Sequence, residues 1–78
     1  GSVGTFHRAL RDAPRRAVAH HAPRHDFSRW MGGALQDPQL ADAVQDAEDL
    51  ITTAPRTTDR VEVVRTRILH EIERRYLS

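Results

Sequence analysis

The chain of 78 residues has no cysteine and, because none of its twelve basic residues is a lysine, it carries all of its positive charge on arginine. Absence of cysteine excludes disulfides and thiolate metal sites, leaves a single core to hold the fold, and fits a cytoplasmic setting. The all-arginine usage, with plentiful alanine, valine, aspartate and histidine, points to a GC-rich bacterial genome. Aromatic side chains are scarce: Phe6, Phe27, Trp30 and Tyr76. No apolar run approaches the roughly 20 residues that a membrane span needs, and no secretion signal is visible, so no membrane is expected. Nor does any segment alternate apolar and polar residues as a half-buried strand would.

What is present is helical spacing in a chain sized for one domain, near the lower limit at which one core suffices. Gly1-Ser2 reads as the remnant of an affinity tag, with residues 1–4 expected to be disordered and residues 5–78 to form the domain. Thr5 is placed to cap a short helix carrying Phe6 and Leu10. Pro14 suits the first position of a second, PRRAVAHHA, which Pro23 should end. Asp26 then caps DFSRWMGGAL, where Phe27, Trp30, Met31 and Leu35 share a face, and Gly32-Gly33 either weakens this helix or admits a neighbouring backbone. Asp37-Pro38 reads as cap and first residue of an amphipathic helix with Leu40, Ala41, Val44, Ala47, Leu50 and Ile51 at three- and four-residue steps. After the loop TTAPRTT, Asp59 and Glu62 resemble a capping box opening a last helix with Val61, Val64, Ile68, Leu69, Ile72 and Tyr76 inward. The expected fold is all-α, a compact bundle of four to five helices with short loops.

Charge is segregated along this chain of formal net charge +1. Residues 1–30 hold six arginines against Asp12 and Asp26, residues 31–50 hold five acids and no base, and residues 51–78 hold six arginines against four acids. Asp42, Asp46 and Asp49 fall on one face as an acidic ridge, and Arg60, Arg67 and Arg74, seven apart, as a basic one.

The elements L-x-x-A-P (Leu10 to Pro14), His21-x-x-Arg24-x-Asp26-Phe27-x-x-Trp30 and Leu35-x-Asp37-x-x-Leu40-Ala41, followed by an arginine-rich last helix, resemble a family of uncharacterised small helical domains. Those domains recur within larger bacterial and archaeal proteins, some resembling phosphoenolpyruvate/pyruvate-binding enzymes or carbohydrate-active proteins. The likeness spans about residues 6–76 and lacks the strand-like segment that precedes the domain in many members. It implies a helical accessory domain and supplies no catalytic residues.

The cluster HHAPRHDFSRW tests two chemistries. His21 and His25 stand four apart with Asp26 or His20 as a third ligand, but Pro23 breaks the helix that would align them, so no metal is assigned. His21 is expected instead to donate to Asp26 or a freed carbonyl and pack near Trp30, making His21, Asp26, Phe27 and Trp30 a structural joint. Ser28 differs from the Asp-Ser-Leu serine of acyl carrier proteins, since Phe27 intervenes and Arg29 follows; it reads as an exposed first-turn residue. No catalytic residue and no cofactor are expected.

The expected function is a non-catalytic docking or adaptor module, one domain of a larger bacterial protein, contacting a protein partner, another domain of the same polypeptide or a second copy. The surfaces named for this are Asp42, Asp46 and Asp49, then Arg60, Arg67 and Arg74, with Tyr76 as an aromatic anchor or the end of the core stripe. Two readings of other classes stand beside it. Arg8, Arg11, Arg15 and Arg16 would contact phosphates in a nucleic-acid binder, although no recognition helix stands out, aromatics are few and the acidic helix opposes it. His20, His21 and His25 would sense a metal or a pH near about 6–7 in a regulatory domain.

Overall fold

The computed structural model describes residues 2–77. Five α-helices follow in order: α1 (Ser2–Asp12), α2 (Arg15–His21), α3 (Asp26–Ala34), α4 (Pro38–Thr53) and α5 (Arg60–Ile72). A 3₁₀ turn (Ala22–Arg24) joins α2 to α3, and a π-helical turn (Glu73–Leu77) closes the chain. Among the described residues there is no strand, and the protein is the all-α bundle that the spacing implies. No helix is long and apolar enough to cross a membrane among these residues.

The longest helices start where local chemistry says they should. Asp37 Oδ1 accepts the Leu40 N–H at 3.0 Å and Pro38 fills the first helical position, where its missing N–H costs nothing. Asp59 Oδ1 likewise accepts from the Glu62 N–H at 3.3 Å. The Glu62 carboxylate does not complete a capping box but turns to Arg65 Nε at 3.0 Å.

The first third departs from the sequence expectations. α1 begins at Ser2, ahead of the expected Thr5 cap, because Val3 packs against the core and prolongs the helix. Gly1 lies outside the described residues. Pro14 is the cap rather than the first residue of α2, with extended backbone at φ −65° and ψ 152°. α2 does stop just ahead of Pro23, at His21; Pro23 itself rides inside the 3₁₀ turn, and the reversal falls on His25 in the left-handed region at φ 57°. Gln36 makes a second such reversal at φ 53° before α4. The glycines lie elsewhere. A β-carbon on Gly32 would meet Ala41 Cβ at an ordinary 3.7 Å and one on Gly33 would meet nothing within 4 Å, so neither is there for close approach.

α4 packs against both α3 and α5, while α1 and α2 lie on α5. Val18, Met31, Leu40, Val44, Ile68 and Ile72 are fully buried in one cluster, each stabilising the fold by about 1.5–3 kcal/mol relative to exposure. Phe6, Phe27 and Trp30 pack on the outside of that cluster and remain half-buried.

Candidate functional site

The joint between α2 and α3 is built by side chains reaching across it. With His25 in the left-handed conformation, the first N–H groups of α3 have no side-chain cap from their own segment. Glu48 of α4 supplies it: Oε2 accepts the Phe27 N–H at 2.9 Å and the Ser28 N–H at 3.3 Å. The expected Asp26 cap is thereby corrected, and Asp26 becomes a charge hub. Its Oδ2 takes His21 Nδ1 at 2.8 Å and Arg24 Nε at 3.2 Å, and its Oδ1 takes Arg29 at 2.6 Å. The His21 bond, ahead of the two guanidiniums, holds this carboxyl below the usual range. Burial pushes Glu48 the other way, above the ordinary value for glutamate, against the opposing pull of its bonds from Ser28 and Phe27. Its Oε1 is buried with no hydrogen-bond partner among the described residues.

His21, Asp26 and Phe27 do come together as the joint, with the His21 and Phe27 rings 5.8 Å apart. Trp30 belongs to a different contact, stacking on Phe6 of α1 at 4.8 Å and 12°. His20 and His21 meet edge-on with ring centres 4.9 Å apart, but His25 diverges from them: His21 is bound to Asp26, and His25 Nε2 lies 2.8 Å from Asp49 on α4. No group of three or more His, Asp or Glu side chains converges among the described residues. Ser28, expected to be exposed, is buried, and its hydroxyl donates to the His25 carbonyl at 3.2 Å.

The two charged ridges fare differently. Asp42, Asp46 and Asp49 are all exposed on α4, with Asp49 drawn to His25. The basic ridge does not form as one face. Arg60 turns inward and donates to the Ala54 carbonyl at 2.7 Å, closing the end of α4, because carbonyls left over at a helix C-terminus attract a guanidinium. Arg74 lies 2.8 Å from Glu71, while Arg67 stands exposed beside Thr66 and His70. Tyr76 is not the end of the core stripe: the closing turn winds π-helically and leaves the ring 44% exposed, its hydroxyl donating to the Asp37 carboxylate. That bond holds Asp37 below and Tyr76 above their ordinary pKa values. Of the four arginines grouped for phosphate contact, Arg11 pairs with Asp12 at 3.1 Å and Arg15 pairs with Asp59.

No protein-family model, curated protein or solved structure matches the chain. The surface that stands out on physical grounds is aromatic. Phe6 lies between Trp30 and Phe27, with the second pair edge-on at 5.9 Å. Two hollows adjoin Phe6. One, of about 230 Å³, is walled by Phe6, Leu10, Ala13, Ala17, Val18 and Phe27; the other, open and of about 480 Å³, lies among Thr5, Phe6, Ala9 and Trp30. Ala9 and Phe6 border both.

The sequence reading missed three residues at these places: Phe6 as the centre of the aromatic face, Glu48 as the cap of α3, and Arg65. Arg65 donates to the Leu10 and Ala13 carbonyls, both at 2.7 Å, and closes α1. A signal existed for two of them: Glu48 stands four residues after Val44 and Arg65 four after Val61, so both sit on stripes that are otherwise apolar.

Proposed function

We propose that the protein is a non-catalytic docking module, one domain of a larger bacterial protein, which binds another protein through the aromatic face of α1, α2 and α3. The observation that carries this is that Phe6, Phe27 and Trp30, three of the chain's four aromatic residues, gather on one half-buried surface with apolar hollows beside it. Interfaces are enriched in such side chains at their centres, where they bury much area at little cost in conformational entropy. The exposed Asp42 and Asp46 on α4 form a second, polar surface available to a partner or a neighbouring domain.

The test uses the immobilised chain and an Ala9→Arg variant, which sets a charge at the border of both hollows on an exposed helical position. Wild type retains a protein from an extract of its host that Ala9→Arg does not, while the circular dichroism of the two is the same. Identical retention by both would remove the aromatic face from consideration. In the same experiment Asp42→Asn with Asp46→Asn and Asp49→Asn reports on the acidic face, and unchanged capture there means that this face plays no part.

A further inference from the structure

We propose that Glu48 is a proton-operated latch on α3: with a proton on its carboxyl the first turn of α3 stays seated on α4, and without it that turn lifts away, pivoting at His25.

The fold supplies the hinge. α3 runs only from Asp26 to Ala34, and a left-handed residue other than glycine stands close to each end, His25 at φ 57° and Gln36 at φ 53°. That conformation is unfavourable for a residue with a β-carbon and persists only where the surroundings hold it. At the His25 end two adjacent residues of α4 do the holding. Asp49 lies 2.8 Å from His25 Nε2, and Glu48 Oε2 accepts the Phe27 and Ser28 N–H groups at 2.9 and 3.3 Å. The Ser28 hydroxyl donates to the His25 carbonyl at 3.2 Å, which ties the reversal to the first turn.

Burial singles out Glu48 from its neighbour. Asp49 is exposed, so water answers its charge. Glu48 is fully buried, and its Oε1 has no hydrogen-bond partner among the described residues. A glutamine there would accept the same two N–H groups with no charge to bury, so what the carboxyl adds is the capacity to titrate. Ionised, it keeps an unanswered charge inside the joint, and lifting the turn lets water reach it; protonated, it has no charge for water to relieve.

The groups around Glu48 set the direction of the response. From α3 it faces the Phe27 and Ser28 N–H groups and the Ser28 hydroxyl, and from the preceding turn the His25 ring; all of these favour the ionised form, and burial outweighs them. The other charges of the joint are engaged with one another, Asp26 with His21, Arg24 and Arg29, and Asp49 with His25. α5, the other long helix packed on α4, brings Val64, Ile68 and Ile72 to the shared core, with Arg60 turned to the Ala54 carbonyl and Arg65 to α1. The closed joint therefore holds its proton above the ordinary 4.5, whereas a lifted turn returns Glu48 towards that value. Closure is favoured in acid. Between the ordinary and the raised value, opening grows by up to about tenfold per pH unit, and above the raised value it levels off. Asp26 is held below its ordinary 3.8 and titrates outside this window. Phe27 and Trp30 ride on α3, so the aromatic face is fixed in acid and loosened towards neutral pH.

The experiment follows the 78-residue chain by NMR from about pH 4 to about pH 8, a range that spans glutamate and histidine titration. The carboxyl-carbon shift of Glu48 reports its proton directly. Amide exchange, expressed as protection relative to the unfolded chain at the same pH, reports the opening of each helix. Trp30, the one tryptophan, stacks on Phe6 at 4.8 Å and reports α3 by its fluorescence. Glu48 is expected to titrate above 4.5, and α3 protection, Phe27 and Ser28 included, to fall roughly tenfold for each pH unit of that rise. Protection in α5 should stay level, and Trp30 emission should change with the Glu48 midpoint. Glu48→Gln keeps an acceptor for both N–H groups and is expected to hold α3 protection flat. His25→Asn removes the titrating ring in a residue that tolerates the left-handed region, and the response is expected to survive it.

Titration of Glu48 at the ordinary value, or α3 protection that stays level while Glu48 ionises, would overturn the latch. A response that persists in Glu48→Gln and vanishes in His25→Asn would assign it to the His25–Asp49 pair instead. Equal loss of protection in all five helices would mean that the proton stabilises the whole fold with no hinge at α3. These readouts need no partner, so their failure leaves the docking reading standing.

Discussion

A carboxylate taken out of water costs several kcal/mol unless its charge is matched, and Glu48 is matched on one oxygen only. Oε2 closes the start of α3 through Phe27 and Ser28, while Oε1 is buried without a partner. Burial raises its pKa above the ordinary 4.5, so the folded chain holds a proton there over a pH range in which the unfolded chain has released it. The stability linked to that proton is fully present below the unfolded value and is lost as pH rises through the raised folded one. Asp26, Asp37, Asp59 and Glu71 are all lowered and act oppositely, losing stability as pH falls. A Glu48→Gln variant leaves those four in place and keeps an oxygen for the two N–H groups. At about pH 7 it should equal or exceed wild type in urea denaturation, and wild type should gain on it as pH falls to about 5. A difference that does not move with pH would show that Glu48 titrates normally. Glu48→Ala, which strands two N–H groups at the head of α3, should cost about 1–3 kcal/mol.

Helices in this chain are finished by residues from other helices, and that divides what was legible in the sequence from what was not. Asp37 and Asp59 reach a backbone N–H three residues on, so composition and spacing were enough to place the starts of α4 and α5. The all-α fold and the apolar stripes followed from the same short-range rules. Glu48 serves a helix 20 residues earlier in the chain and Arg65 a carbonyl 52 residues away, and Arg60 folds back on α4 because the loop brings it there. For these, position on a stripe was visible but the partner was not, since tertiary packing supplies it. The aromatic face has the same origin: Phe6 and Trp30 are 24 residues apart and meet only when α1 lies across α3. Among the described residues α1 itself contributes one buried core residue, Leu10, and depends on Arg65 for its last carbonyls. Arg65→Leu should therefore cost about 1–3 kcal/mol and accelerate hydrogen exchange in α1 well beyond that in α4 and α5. Uniform acceleration through all five helices would show that α1 does not open separately.

At the scale of the whole molecule, a domain of this size buries barely enough apolar surface to fold alone. Leaving three aromatic side chains half-covered is therefore a loss of stability that a merely structural role would not demand. If the face is kept open for a partner, closing it from within should stabilise the chain and block binding at once. Ala9→Leu is suited to this. Leucine is nearly as good a helix former as alanine, and from position 9 it extends over the border shared by both hollows. Covering part of Phe6 and Trp30 should add about 0.5–1 kcal/mol, which for a domain of this length raises the melting temperature by roughly 2–8 °C. The same variant should lose the protein that the wild-type chain retains, since the added side chain occupies the border of both hollows. Calorimetry and pull-down on one preparation decide it: a lower melting temperature with capture intact would mean that the hollows receive no partner and that the aromatic cluster serves only to hold α1 in place.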